Sequence, residues 1–134
     1  MGQGVGHSSC NYVFFGGGMN ASGAVSTLDI YDGTTRVLSD SLAVATAGLC
    51  GAMAIGTNSI NTTTGVKDTS KAIFVGGSSN GLVFNLASTE IDAETLEVTK
   101  RTDWPKYPIF FGASTTFEKD ALFVGGVKNS SGSF

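Results

Sequence analysis

The sequence predicts an all-β chain made of a four-stranded unit repeated about two and a half times, and three observations carry that prediction. Four apolar or small residues closed by two glycines occur three times, at 12–17, 72–77 and 121–126. A turn headed by aspartate follows the first two runs at one distance, 15 residues from Gly17 to Asp32 and 15 from Gly77 to Asp92. The 134 residues include 19 glycines and are only 14% charged, about twice the usual glycine and half the usual charge. Such a composition suits short buried strands and sharp turns, and it excludes disorder by charge excess.

Each unit opens on a glycine followed by small residues, Gly6-His7-Ser8-Ser9, Gly51-Ala52-Met53-Ala54 and Gly112-Ala113-Ser114-Thr115. Small side chains let a strand lie against a crowded axis, so the apolar stretch 42–55 is expected as a strand. It is too short and too rich in Gly and Thr to span a bilayer, which needs roughly 20 apolar residues. Next comes the strand ending in the double glycine, at Gly16-Gly17, Gly76-Gly77 and Gly125-Gly126. Phenylalanine holds the third position each time, and a run this short and this rich in aromatic and β-branched residues reads as a buried strand, not a helix. The paired glycines supply the positive φ or close approach that other residues adopt only with strain.

A hairpin follows, over Asp32-Gly33-Thr34-Thr35 and Asp92-Ala93-Glu94-Thr95. The aspartates are expected to cap local amides, a structural role. Six residues beyond each stands an apolar side chain, Leu38 and Val98. The double glycines are 60 and then 49 residues apart; the excess of about 11 falls in the polar segment 56–71 (GTNSINTTTGVKDTSK), a loop by composition. The units are therefore 1–47, 48–107 with the insertion 56–71, and a truncated 108–134.

This pattern resembles the kelch repeat of β-propellers: an apolar run closed by Gly-Gly, then Tyr-Asp, then Trp six residues on, in four-stranded blades of roughly 50 residues. Tyr31-Asp32 and Gly6-His7 match the family, whereas Ile91 replaces the tyrosine in the second unit and Leu38 and Val98 replace the tryptophan. The arginine common before the first blade strand is also missing, from Ala45-Thr46-Ala47-Gly48 and from Tyr107-Pro108-Ile109-Phe110. The resemblance implies a kelch-like β-propeller fragment of about two and a half blades. A propeller closes with about four to eight blades, so the missing ones are expected from the rest of a longer chain or from self-association, with apolar faces exposed on the terminal blades.

Residues able to carry chemistry are few. Cys10 and Cys50, 40 residues apart, with the single His7, supply at most three zinc ligands, which excludes a structural zinc site of Cys and His. The two cysteines suit buried thiols, or a disulfide in an oxidising compartment, and the compartment stays open. Sequons at Asn20, Asn61 and Asn129 are weak evidence among 7 Asn and 30 Ser and Thr. Residues 1–10 have neither the positive start nor the apolar run of a signal peptide. Gly16-Gly17-Gly18 is followed by no Lys-Ser/Thr and opens no helix, so a phosphate loop is not expected. Trp104 before Pro105 is expected to pack rather than stack on a ligand, with its exposure deciding. With 8 basic against 11 acidic residues and no basic run, neither nucleic acid nor an anionic membrane is an expected partner.

Two function classes follow from the resemblance. The first is a protein-binding scaffold whose loops 19–26, 56–71 and 78–85 form the partner surface; no cofactor is expected. The second is the non-catalytic propeller portion of a larger carbohydrate-active or galactose oxidase-like enzyme, since one histidine cannot supply a copper site. On the repeat reading, Gly77→Val costs about 1–3 kcal/mol, and trimming 56–71 costs little.

Overall fold

A computed structural model describes residues 2–6, 11–80, 84–107, 109–110 and 112–125 of the chain. Among these residues the structure is all-β with no helix, so no helix is long and apolar enough to cross a membrane. The first antiparallel sheet orders its strands β1 (Gln3–Val5), β2 (Tyr12–Gly16), β5 (Thr27–Asp32) and β6 (Thr35–Ser41), with a small hairpin of β3 (Met19–Asn20) and β4 (Gly23–Ala24) between β2 and β5. The second orders β7 (Cys50–Ala54), β8 (Lys71–Val75), β9 (Ser88–Asp92) and β10 (Val98–Arg101) in the same succession, and β11 (Ala113–Phe117) and β12 (Asp120–Val124) form a two-stranded third.

Several expected boundaries move. The small strand of the first unit is β1, which ends before Gly6, while His7, Ser8, Ser9 and Cys10 lie outside the described residues. In the stretch 42–55 only β7 is strand, because residues 42–49 are a partly buried crossing from the first sheet to the second. Leu42, Thr46 and Leu49 fill space there that a straight strand would not reach. The segment 56–71 is loop up to Ser70, with Lys71 already opening β8, and the loop is folded back on itself: Asn58 N donates to Asp68 O at 2.8 Å, Asn61 N to Val66 O at 2.9 Å and Asp68 N to Ser59 O at 2.9 Å, a hairpin-like excursion.

The repeat also has a different register from the one its glycines suggest. Positive φ falls on Gly17 (66°) and Gly18 (110°), on Gly76 (74°) and Gly77 (82°), and on Gly125 (69°), whereas Gly16 is an ordinary strand residue of β2. The turn-forming pair is therefore Gly17-Gly18, and the partner of Gly76 in the first unit is Gly17. Cross-strand pairing agrees: Phe15 lies opposite Gly4 and Asp29, as Phe74 lies opposite Gly51 and Thr89. Phe123 lies opposite Ser114. The turns after the aspartates differ too. Asp32 pairs with Thr35 across two residues with Gly33 at φ 60°, whereas Asp92 N reaches Glu97 O with Leu96 at φ 61°. The longer turn and a bulge beside Tyr31 break the match of Leu38 with Val98: Leu38 pairs with Ile30 and Val98 with Ile91, on faces of opposite sense.

The core lies between the two four-stranded sheets. Val5, Phe14, Leu28 and Ile30 of the first pack with Met53, Ala72, Phe74 and Ile91 of the second, and Leu38 and Val98 border the cluster. Full burial of each large side chain stabilises by about 1.5–3 kcal/mol. Gly51 allows the closest approach, since a Cβ there would fall on Val5 Cγ2 and stand 2.8 Å from Gln3 Cγ. On the far side β11 follows the unpaired edge of β7. Ser114 Oγ donates to Gly51 O at 2.8 Å and Thr116 Oγ1 to Met53 O at 2.8 Å, satisfying backbone groups that an open edge would leave exposed.

Candidate binding cleft

Both double-glycine turns leave their sheets at the same end, and the segment after each turn forms one side of a cleft. After Gly18 the chain forms the β3–β4 hairpin, tied back by Val25 N donating to Gly18 O at 3.0 Å and tightened by Ser22 N donating to Asn20 Oδ1 at 2.8 Å. After Gly77 comes Ser78, bonded in both directions to Ala47 of the crossing at 3.0 and 2.9 Å. The glycines are required because the crossing presses on them. A Cβ on Gly77 would fall on Thr46 Oγ1 and stand 2.7 Å from Ala47 O, and one on Gly17 would stand 2.7 Å from Thr46 O.

Thr46 joins the two turns. Its carbonyl accepts Gly18 N at 2.8 Å, its hydroxyl donates to Gly76 O at 3.0 Å, and its own N–H donates to Val25 O at 3.0 Å. It is 3% exposed, so these bonds stand in for water that cannot reach the groups.

Between the hairpin and the segment after Gly77 opens a cleft of about 560 Å³, with Met19, Leu49 and Phe110 as apolar walls and Gln3, Ser79 and Asn80 as polar ones. That lies within the roughly 300–1,000 Å³ of ligand pockets. The lining is uncharged throughout. Such walls take up apolar side chains and hydrogen-bond a neutral chain, and they offer no countercharge to an ionic ligand.

The opposite end carries the other expected loop. There Asp92 Oδ1 accepts Glu94 N at 2.8 Å and Thr95 N at 3.0 Å, while Thr69 Oγ1 donates to Oδ2 at 2.6 Å. Burial alone would raise the Asp92 carboxyl; the hydroxyl of Thr69, the two amides and the charge of Lys71 outweigh it and hold the group below its ordinary value. Asp32 heads the tighter turn, where its backbone pairs with Thr35. Lys67 closes the excursion onto Glu94 at 2.9 Å.

The remaining residues singled out in the sequence are spread through the framework. Gly16 lies under Phe74 and Leu42, each about 3.1–3.2 Å from where its Cβ would be. Gly125 turns in open space, and Gly126 and Asn129 lie outside the described residues. Cys50 is a free, buried thiol whose pKa burial raises; its relation to Cys10 falls outside the described residues. Trp104 is 36% exposed. No three of His, Cys, Asp and Glu gather as metal ligands among the described residues. Sequence reasoning named residues 19–26 and 78–85 as surface but missed Thr46 and the 47–49 wall, since a threonine inside an apolar run gives no sign that it bridges two turns. The loop 56–71, grouped with them by composition, belongs to the other end. Compared with known proteins, the chain matches no family model and no curated sequence.

Proposed function

We propose that this chain is a protein-interaction scaffold of kelch-like propeller units, and that its partner segment binds in the cleft at the double-glycine end. The observation that carries the reading is the convergence there of three segments of unrelated sequence, 19–24, 47–49 and 78–80, on one uncharged cleft. Two four-stranded meanders and a third strand pair in series support the propeller reading. The strand that opens each four-stranded meander, β1 or β7, meets its counterpart across the chain. Rigid sheets hold the segments, with Leu49 anchoring the crossing in the core while Met19, Ser79 and Asn80 stand exposed at the rim. A neutral, partly apolar peptide in extended form fits these walls best: Met19 and Phe110 receive side chains, and Ser79 and Asn80 meet its backbone.

Selection from a random 12-residue displayed peptide library tests this, with the intact chain as bait. Peptides enriched on the wild type should be uncharged and should lose at least tenfold in affinity on Met19→Arg or Ser79→Arg, both surface changes that leave the core intact. Enriched peptides indifferent to both substitutions, or no enrichment at all, would overturn the assignment.

A further inference from the structure

Asn80 lines the cleft, and it is the only asparagine of the chain that a glycine follows. That succession has a chemical consequence. Asparagine is thermolabile because the backbone nitrogen one residue on can attack its side-chain amide carbon, and a side chain on the attacking residue obstructs the approach. Gly81 lies outside the described residues, but as a glycine it carries no such side chain and its backbone is permissive.

The fold leaves Asn80 open to the reaction and restrains the other described asparagines. Ser78 makes the last bridges of this segment, to Ala47 and Phe84, and Asn80 beyond it is exposed and belongs to no strand. By contrast, Asn20 Oδ1 accepts Ser22 N at 2.8 Å and Asn61 Oδ1 accepts Thr63 N at 2.9 Å. The nitrogen after Asn58 is that of Ser59, which donates to Thr57 Oγ1 at 3.4 Å. The nitrogen after Asn11 opens β2, and the one after Asn85 belongs to the branched Leu86.

We propose that Asn80 is a site of spontaneous deamidation, and that the change converts the uncharged cleft into an anionic one. The Gly81 nitrogen forms a bond to Asn80 Cγ, its proton passes to the departing Nδ2, and ammonia leaves behind a five-membered cyclic imide. Water then opens the ring. Breaking the new bond gives aspartate; breaking the original peptide bond gives isoaspartate, with one more methylene in the backbone. Water is the only co-reactant and no electron changes hands. Either product carries a carboxyl that is ionised at neutral pH. No residue of the cleft lining is a cation, so a neutral chain entering the modified cleft desolvates that charge without a partner for it. This consequence rests on the reading of the cleft as a partner site; the chemistry at Asn80 does not.

Peptide mapping by mass spectrometry reads the site. The intact chain is held for about two weeks at about pH 8.5 and 37 °C, beside Gly81→Ala, Asn80→Gln and a synthetic peptide of residues 76–86. In the folded chain the fragment holding Asn80 should gain about 1 Da as two separable products, one of them a substrate for isoaspartyl methylation. Its rate should lie within about threefold of the free peptide's, fall at least about fivefold in Gly81→Ala and vanish in Asn80→Gln. Asn80 that stays intact in the folded chain while the peptide reacts, or gain of mass at other asparagines first, overturns the proposal. Asn80→Asp installs the charge directly, and uncharged peptides selected on the wild type should bind it at least about tenfold more weakly; equal binding overturns the conversion of the cleft. A chain that deamidates at Asn80 but enriches no peptide at all keeps the site and fails the cleft reading alone.

Discussion

Replacing Gly77 by alanine separates two costs that a turn glycine can hide. Its φ of 82° places an L residue in the left-handed region, which costs alanine about 1–2 kcal/mol. The added methyl also falls on Thr46 Oγ1 and within 2.7 Å of Ala47 O. Thr46 must then swing its hydroxyl away from Gly76 O, and leaving a buried polar group unpaired costs a further 1–3 kcal/mol or so. The expected loss is about 2–5 kcal/mol, against a total stability of about 5–15 kcal/mol for a domain. Gly33 is the internal control, because its φ is 60° yet a Cβ there meets nothing within 4 Å, so Gly33→Ala carries only the first cost. Urea unfolding with an m-value of about 1.5 kcal/mol/M should lower the midpoint by about 1 M for Gly33→Ala and by up to about 3 M for Gly77→Ala. In a Thr46→Ala background the colliding hydroxyl is gone, and the cost of Gly77→Ala should fall by at least about 1 kcal/mol, the coupling expected of touching residues. Equal midpoints for the two glycine variants, or no coupling with Thr46, would refute the close-approach argument.

Two further perturbations probe the core and the far end. Phe74→Ala removes the ring that fills the space over Gly16 and should destabilise by about 3–5 kcal/mol, read by the same unfolding series; a loss under about 1 kcal/mol would place the core elsewhere. Thr69→Val removes the donor to Asp92 Oδ2 and should cost about 1.5–3 kcal/mol near neutral pH, the value of a hydrogen bond to a charged group. Since the folded Asp92 pKa is depressed, its stabilisation is present above the unfolded value of about 3.9 and is lost as pH falls through the lower folded one. Bringing that folded pKa nearer the unfolded value makes the variant less acid-sensitive, so its deficit should shrink between pH 6 and 2.5. A constant deficit would mean the Thr69 hydroxyl does not bear on the carboxylate.

Strand identity was legible in the sequence and register was not. The runs at 12–16, 72–75 and 121–124 declare themselves because an apolar stretch of four or five residues closed by glycine has no other stable use. The three consecutive glycines at 16–18 are a different matter. Any adjacent two can form the turn, and the choice of Gly17 and Gly18 is made by Thr46, which reaches them only in the folded chain. Leu38 and Val98 match at six residues from their aspartates, yet a turn two residues longer and a bulge at Tyr31 put them on opposite faces, and neither feature leaves a mark in the spacing. Residues 56–71 look like loop because Asn, Thr and Asp satisfy one another locally, as Thr57 and Asp68 do through the bonds of Thr57 N and Oγ1 to Asp68 Oδ2, both at 3.0 Å. The cleft was half visible. Its two outer loops could be named, but its floor, 47–49, is apolar and reads as core.

The crossing at 42–49 has a bearing on what counts as a separable piece of this chain. By repeat period the first unit ends at residue 47, inside a segment whose amides are committed to both units, those of Leu42 and Thr46 to Ser26 O and Val25 O and those of Ala43 and Ala47 to Thr89 Oγ1 and Ser78 O. Excising either unit at that boundary would cut through the shared interior and strip Phe14 or Phe74 of its cover. The two sheets are therefore one cooperative foldon. Amides of the two turns, Gly18 and Gly77, should show a single opening free energy in native-state hydrogen exchange, although 59 residues of sequence separate them.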